Sequence, residues 1–318
     1  THADDRRRLA SEPDLFPTAI EEMLRFYSPV MMARRVTEET QVGDVTFMPG
    51  DKVLLNFPAA NRDPEIFEDA DKVVLDREML QQSQNLKLIC IAATGTNNVD
   101  LEAAAELGIR VCNVAGYSTP SVVQQVFTMI LSLTTHQAEY ARAVREGRWQ
   151  QSELFCMLDY PFRELSGKRL GIVGYGGLGR AVAGVAEAFG MEILLSQRPG
   201  GPAREGRVPL DELLPRVDIL SLHCPLTPET SNLIGGKELA AMKPDALLIN
   251  CARGGVVDEV ALAEALRSGR IGGAGGDVLT SEPPIQGNPL LEDAIPNLIV
   301  TPHIAWASVE SRQRLVSE

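Results

Sequence analysis

Three ionisable residues in the C-terminal half each follow a short apolar run that reads as a strand. Arg253 stands beyond Ala246-Leu-Leu-Ile-Asn250, and His303 stands beyond Asn297-Leu-Ile-Val300. Glu282 lies in Asp277-Val-Leu-Thr-Ser-Glu-Pro283, after the run Gly272-Gly-Ala-Gly-Gly276. An imidazole held between Pro302 and Ile304-Ala305-Trp306 is suited to moving a proton near neutral pH. A carboxylate that hydrogen-bonds it favours its protonated form and raises its pKa. The planar fork of an arginine followed by Gly254-Gly255 suits a carboxylate-bearing substrate. Each residue alone also reads as a surface charge, but three on strand-end loops of one sheet are harder to explain that way. Of the other histidines, His2 lies near the end of the sequence and His136 in a helical stretch. His223 ends a strand beside Pro225, where it is either a structural cap or a neighbour of a bound cofactor.

The element that must position these groups is Leu170-Gly-Ile-Val-Gly-Tyr-Gly-Gly-Leu-Gly179, which runs into Arg180-Ala-Val-Ala-Gly-Val-Ala-Glu-Ala-Phe189. A lone G-x-G-x-x-G is a weak signal, because glycine turns serve many loops. Here an apolar strand precedes it, an apolar-periodic helix follows, and Met191-Glu-Ile-Leu-Leu195 supplies a second strand. That context is the dinucleotide fingerprint: Gly174 for the tight turn, Gly176 for close approach to a pyrophosphate, Gly179 for helix-strand packing. The anion would rest on free N–H groups at the helix start. Strands are predicted at Lys72–Arg77, Leu86–Ile91, Ile109–Cys112, Asp218–Leu222 and the three runs above, with helices at Leu101–Leu107 and Thr119 to about Arg148. Strand and helix alternating in this way imply an α/β fold with a doubly wound parallel sheet, whose carboxyl edge binds ligands. The turn Ala93-Thr-Gly-Thr-Asn-Asn98 reads equally as an anion nest or a plain loop.

Length and composition limit what else the chain can be. At 318 residues it suggests about two domains. A net charge of -13 argues against nucleic acid or an anionic membrane as partner. The five cysteines form no C-x-x-C pair, which fits a reducing, cytoplasmic compartment and suggests no metal centre. No signal peptide and no apolar run of membrane-spanning length is read.

The fingerprint, His223-Cys-Pro-Leu-Thr-Pro-Glu-Thr230, Ile249-Asn-Cys-Ala-Arg-Gly-Gly-Val-Val-Asp258, Asp277-Val with Glu282-Pro283, and Thr301-Pro-His-Ile-Ala305 together resemble the D-2-hydroxyacid dehydrogenases from about residue 72 onward. The ending His303-Ile-Ala-Trp-Ala-Ser308 is most similar to the glycerate dehydrogenase (hydroxypyruvate reductase) branch. The resemblance implies hydride transfer between NAD(P)H and a small 2-keto or 2-hydroxy acid. It assigns the substrate carboxylate to Arg253 and to backbone near Thr94, Gly95 and Thr96, acid/base work to His303, and tuning of that histidine to Glu282. It assigns cofactor contacts to Gly174, Gly176, Gly177, Leu178, Gly179, His223, Pro225, Thr230, Cys251 and Ala252, with Asp277 facing the nicotinamide amide. It also implies a homodimer through the dinucleotide domain. An NAD-specific site wants an acid at the end of the second strand. Gln197 and Arg198 stand there instead, so NADPH is expected to be accepted, unless Arg198 is only a solvated loop charge.

The start of the chain reads differently. Pro17–Tyr27 is an amphipathic helix by pattern. Val45–Met48 and Lys52–Asn56, around Pro49-Gly-Asp51, read as an antiparallel hairpin. Ala19-Ile-Glu-Glu-Met-Leu-Arg25, Ser28-Pro-Val30, Pro49-Gly-Asp51 and Ala59-Ala-Asn-Arg-Asp-Pro-Glu-Ile-Phe67 resemble part of a bacterial haem-thiolate cytochrome monooxygenase. No glycine-rich loop presenting a thiolate follows, so haem is not expected. The expected organisation is therefore a chimera. A monooxygenase-like α+β segment spans 1–71, a truncated flavodoxin-like substrate domain spans 72–116, completed by 300–318, and a Rossmann-type dinucleotide domain spans 117–299. The first βαβ unit of the substrate domain is replaced and the last helix is cut short at Glu318, which predicts open sheet edges. The alternative function is a non-catalytic dinucleotide-binding chain.

Overall fold

The computed structural model describes residues 32–35, 39–42, 45–49, 52–56, 75–83, 86–96, 98–292 and 295–317. The expected helix at 17–27, and most of the monooxygenase-like motifs, lie outside the described residues. The chain divides into two compact units, residues 1–115 and 116–317.

In the first unit the strands are β1 (Met32–Arg35), β2 (Thr40–Val42), β3 (Val45–Phe47), β4 (Lys52–Asn56), β5 (Leu86–Ile91) and β6 (Arg110–Asn113). Its helices are α1 (Arg77–Gln82) and α2 (Leu101–Glu106). The expected pairing of β3 with β4 is not formed. β3 pairs with β2, and β4 is antiparallel to β1 and parallel to β5. The sheet order is β1-β4-β5-β6. The β5 edge that the truncation predicted to be open is thus filled by β4, whose N–H and C=O groups satisfy a ladder that would otherwise be bare. Of the strand predicted over 72–77, residues 72–74 lie outside the described residues; Leu75 makes a single bridge to Val99, and the Asp76 side chain accepts from Met79 N and starts α1. Leu75, Leu80, Ile89, Ile91, Val99, Ala103, Ala104 and Ile109 form this unit's core. Gly108, at φ 68°, ends the helical segment that begins with α2.

The second unit begins with α3 (Thr119–Thr135) and α4 (Gln137–Arg145), then alternates. β7 (Arg169–Val173), α5 (Gly177–Ala188), β8 (Glu192–Leu195), α6 (Leu210–Leu213), β9 (Ile219–Leu222) and α7 (Gly236–Ala241) follow. Then come β10 (Leu247–Asn250), α8 (Glu259–Arg267), β11 (Gly273–Gly276), β12 (Leu298–Val300) and α9 (Val309–Ser317). The single long helix predicted from Thr119 to about Arg148 is broken at His136, which adopts a left-handed φ of 50°. Residues 300–317, assigned from sequence to the substrate domain, cluster with this unit.

All six strands of the second sheet are parallel, in the order β12-β11-β10-β9-β7-β8. Val208 extends it by one bridge to Ser196. Successive residues point to opposite layers, as a sheet buried on both faces requires. Leu170, Ile172, Ile219, Leu247 and Ile249 pack on one side with α3 and α5. Val173, Leu220, Leu222 and Leu248 pack on the other with residues of α7 and α8. The chain reverses direction across the sheet between β7 and β9, so the crevice at their carboxyl ends is the place for a ligand. No helix among the described residues is long and apolar enough to cross a membrane.

α3 can lie against β11 because that strand is Gly-Ala-Gly-Gly. A Cβ on Gly275 would come within 2.9 Å of Met129 Cβ and 3.1 Å of Ile249 Cδ1. Gly275→Val is therefore expected to push α3 off the sheet and cost about 1–3 kcal/mol, read as a lower urea midpoint. An unchanged midpoint would show that this contact does not limit packing.

Candidate active site

The fingerprint glycines occupy three physically different positions. Gly174 has φ 94°, and a Cβ there would meet the His223 carbonyl carbon at 2.5 Å. A Cβ on Gly179 would be driven into the Gly174 oxygen. Gly176 and Gly177 face open space, with nothing within 4 Å of a Cβ. Gly176 caps α5 without any side-chain hydrogen bond, so the first N–H groups of the helix keep no side-chain acceptor. An open cradle at uncapped helix N–H groups fits a dinucleotide pyrophosphate. Leu178 packs inward against the α3 side of the core.

Around this cradle the other expected cofactor contacts separate by role. His223 closes β9, its N–H donating to Val173 O at 2.7 Å. Its Nε2 lies 2.9 Å from Ser221 Oγ, while Nδ1 is buried with no hydrogen-bond partner among the described residues. Burial pushes this imidazole down to about 4, so it is neutral at physiological pH. Thr230 Oγ1 donates to Pro225 O and accepts from Thr227 N, both at 2.7 Å, which braces the loop that carries Pro225. Cys251 points into the core, with Sγ 3.9 Å from Met129 Sδ. At the end of β8, Gln197 N donates to Val208 O. Arg198 packs along Gly201, and its charge helps hold the Glu229 carboxyl below the usual range after that group's hydrogen bonds to Thr227 and its own backbone.

Strand ends β10, β11 and β12 carry the ionisable groups. Asn250 is buried; its Oδ1 accepts from Ala252 N at 3.0 Å and its Nδ2 donates to Arg253 O at 3.0 Å, which shapes the turn beneath Arg253. The Arg253 guanidinium donates to Ala252 O at 2.7 Å. Its burial lowers its pKa, opposed by the charge of Glu282. Asp277 is 1% exposed, and its Oδ1 accepts from Thr301 Oγ1 and Ile304 N while Oδ2 accepts from Ala305 N. Burial pushes this carboxyl up even against those bonds. Both oxygens are thus engaged by the 301–305 turn, and Oδ2, with a single donor, keeps a lone pair for a further one.

That turn holds His303 at φ 53°. Its N–H donates to Asp277 O at 2.8 Å and Thr301 O at 2.9 Å. His303 Nδ1 lies 2.7 Å from Glu282 Oε2, and Leu279 N donates to Glu282 Oε1 at 2.8 Å. Burial alone would raise the Glu282 carboxyl; the His303 bond and charge, the Leu279 N–H and Arg253 outweigh it and hold it below the usual range. A glutamate kept ionised on Nδ1 fixes the ring so that Nε2 is the nitrogen left to exchange a proton. Thr94, Gly95 and Thr96 belong to the first unit. There Thr94 Oγ1 donates to Val114 O at 3.1 Å and Asn113 Nδ2 to Thr94 O at 2.6 Å.

Sequence reasoning missed three supporting residues. Asn250 and Thr301 were readable only as strand ends, although an Asx residue before a turn was a signal for the first. Arg207 gave no signal at all, yet its guanidinium lies 5.2 Å from the Tyr175 ring centroid and donates to Ser196 O at 3.1 Å. It thereby reaches from the end of β8 over the fingerprint itself.

Comparison with known proteins agrees with this geometry. Residues 127–305 match the family described as D-isomer specific 2-hydroxyacid dehydrogenase, NAD binding domain. Residues 13–79 match Cytochrome P450. The chain is 47% identical to a glycerate dehydrogenase of Methylorubrum extorquens over 78% of each chain. It is 40% identical to a hydroxypyruvate reductase of Blautia hydrogenotrophica over 77% of each. A solved D-lactate dehydrogenase from Aquifex aeolicus, complexed with NAD and lactic acid, superimposes with a TM-score of 0.71 at 31% identity, covering 83% of this chain and 79% of that one. The chain belongs to the D-2-hydroxyacid dehydrogenase family, an NAD(P)-linked oxidoreductase of hydroxy and keto acids.

Proposed function

We propose that the chain reduces a small 2-keto acid of the hydroxypyruvate and glyoxylate class to the D-2-hydroxy acid. The observation that carries this is the Glu282–His303 pair on the strand edge that also presents Arg253. The cofactor, when bound, supplies the hydride. Arg253 binds the substrate carboxylate and polarises the carbonyl. His303 Nε2 gives its proton to the carbonyl oxygen as the hydride arrives, and Glu282 stabilises the imidazolium before transfer. Gly174, Gly176, Gly177, Leu178 and Gly179 receive the dinucleotide, with His223, Pro225, Thr230 and the backbone of Cys251 and Ala252 around it; Asp277 positions the turn that carries His303. Gln197 offers no carboxylate against a 2′-phosphate, and Arg198 and Arg207 offer two cations, which favours NADPH.

Consumption of NADPH by the purified chain with hydroxypyruvate tests this reading. Turnover is expected, faster with NADPH than with NADH, and His303→Ala should lower kcat by about 10²–10⁴ while cofactor binding persists. Full turnover in that variant would remove His303 from the chemistry, and faster turnover with NADH would remove the two arginines from the cofactor reading. Cofactor binding without turnover in the wild-type chain would favour the non-catalytic alternative.

Because Glu282 is held low, it stays ionised from neutral pH down to the acidic range and keeps an acceptor on His303 Nδ1 throughout. Glu282→Gln removes that charge. It is expected to lower kcat about tenfold or more while cofactor binding persists. An unchanged kcat would mean that Glu282 has no part in placing His303.

The reading includes a homodimer through the dinucleotide unit and a cytoplasmic location. The five free cysteines support the reducing compartment. The segment from Trp149 to Phe162 supports the dimer, since it presents Phe155 at 90%, Leu158 at 78% and Phe162 at 66% exposure. Sedimentation should give twice the chain mass, and Phe155→Ser with Leu158→Ser should give a folded monomer. A wild-type monomer would overturn the dimer.

A further inference from the structure

Cys90 and Cys112 are directly paired in register on neighbouring parallel strands, β5 and β6. In-register residues of parallel strands project from the same face, with Cα atoms about 4.8 Å apart. That spacing lies inside the range of about 4.4–6.8 Å that a disulfide spans. Cys112 is exposed and Cys90 half-buried, so one thiol meets solvent and the other stands behind it. Among the described residues β6 is the edge of its sheet, which lets it move the few tenths of an ångström that bonding requires. Neither thiol is part of the chemistry at Arg253, Glu282 and His303.

We infer that Cys90 and Cys112 form a modification site, a dithiol that a small-molecule disulfide converts reversibly into an intramolecular disulfide. The Cys112 thiolate attacks one sulfur of the small disulfide and releases its first thiol, leaving a mixed disulfide on Cys112. The Cys90 thiolate then attacks the Cys112 sulfur and releases the second thiol. The protein loses two protons and two electrons, and the small disulfide takes up both as two thiols. Burial, with Cys112 beside it, raises the pKa of Cys90, so the second step is the slower one and speeds up as pH rises. The bond would close β5 on β6 immediately before the loop in which Asn113 Nδ2 holds Thr94 O at 2.6 Å. Neighbouring parallel strands hold two Cβ atoms slightly wider than a relaxed disulfide does, so the bond is expected to be readily reduced, as regulatory disulfides are.

The test treats the native full-length chain with oxidised glutathione at pH 7 and pH 8.5, alkylates it, and maps the cysteines by mass spectrometry. The expected result is one peptide pair joined through Cys90 and Cys112, the loss of two of the five alkylatable thiols, faster closure at the higher pH, and full recovery with dithiothreitol. Cys90→Ser should instead stop at glutathione on Cys112. Two results would overturn the site: Cys90 and Cys112 both recovered alkylated after oxidation, or a wild-type chain that keeps a stable mixed disulfide on Cys112 as Cys90→Ser does. Because the readout is covalent, it stands apart from whether the chain turns over a keto acid.

Discussion

The second unit's chemistry depends on satisfying one buried carboxylate. Asp277 is almost completely removed from water at the carboxyl end of β11, and an ion there must find donors or be neutralised. It finds them in Thr301 Oγ1 and the N–H groups of Ile304 and Ala305, so the chain after β12 must curl around it. That curl is the turn that carries His303. Ser121 Oγ, from α3, bonds Ala305 O at 2.6 Å, and Gln125 Nε2 bonds Thr301 Oγ1 at 3.2 Å, so the helix also locks the turn from behind. The geometry of His303 and Glu282 rests on these buried polar contacts more than on any contact between the two groups themselves.

The same economy governs the cofactor side. Gly174 and Gly179 are glycine because protein atoms crowd them, whereas Gly176 and Gly177 leave space open at the start of α5. One motif therefore serves two opposite steric demands. His223 links them, since its backbone is what a side chain on Gly174 would strike, and its ring stays neutral through burial.

Much of the second unit was legible because parallel strands buried on both faces read as continuous apolar runs, and β7 to β12 each follow such a run or a glycine strand. Arg253, Glu282 and His303 were legible because polar residues at strand ends break those runs. What escaped was set by long-range geometry. His136 breaks a helix that local pattern would continue. Lys52–Asn56 looks like half of a hairpin with the strand before it, yet β5 offers it a parallel partner with unsatisfied groups. For Asp277 the sequence shows the acid and not the three donors that the 301–305 turn brings to it. Arg207 is one arginine among many until Tyr175 is found beneath it.

The first unit shows how sheet pairing can join segments of different resemblance. β4 lies within the match to Cytochrome P450, residues 13–79, and β5 lies beyond it, yet the two share a ladder. Hydrogen-bonding groups on a strand edge are indifferent to the origin of the strand that meets them.

The left-handed backbone at His303 has a consequence for how this position can change. A residue with a Cβ at φ 53° carries conformational strain that glycine would not. Selection for a relaxed backbone and selection for an imidazole thus pull against each other at a single residue. Drift that relaxes the backbone there would remove the imidazole that Glu282 holds, so the position sets stability against the one side chain that this turn presents.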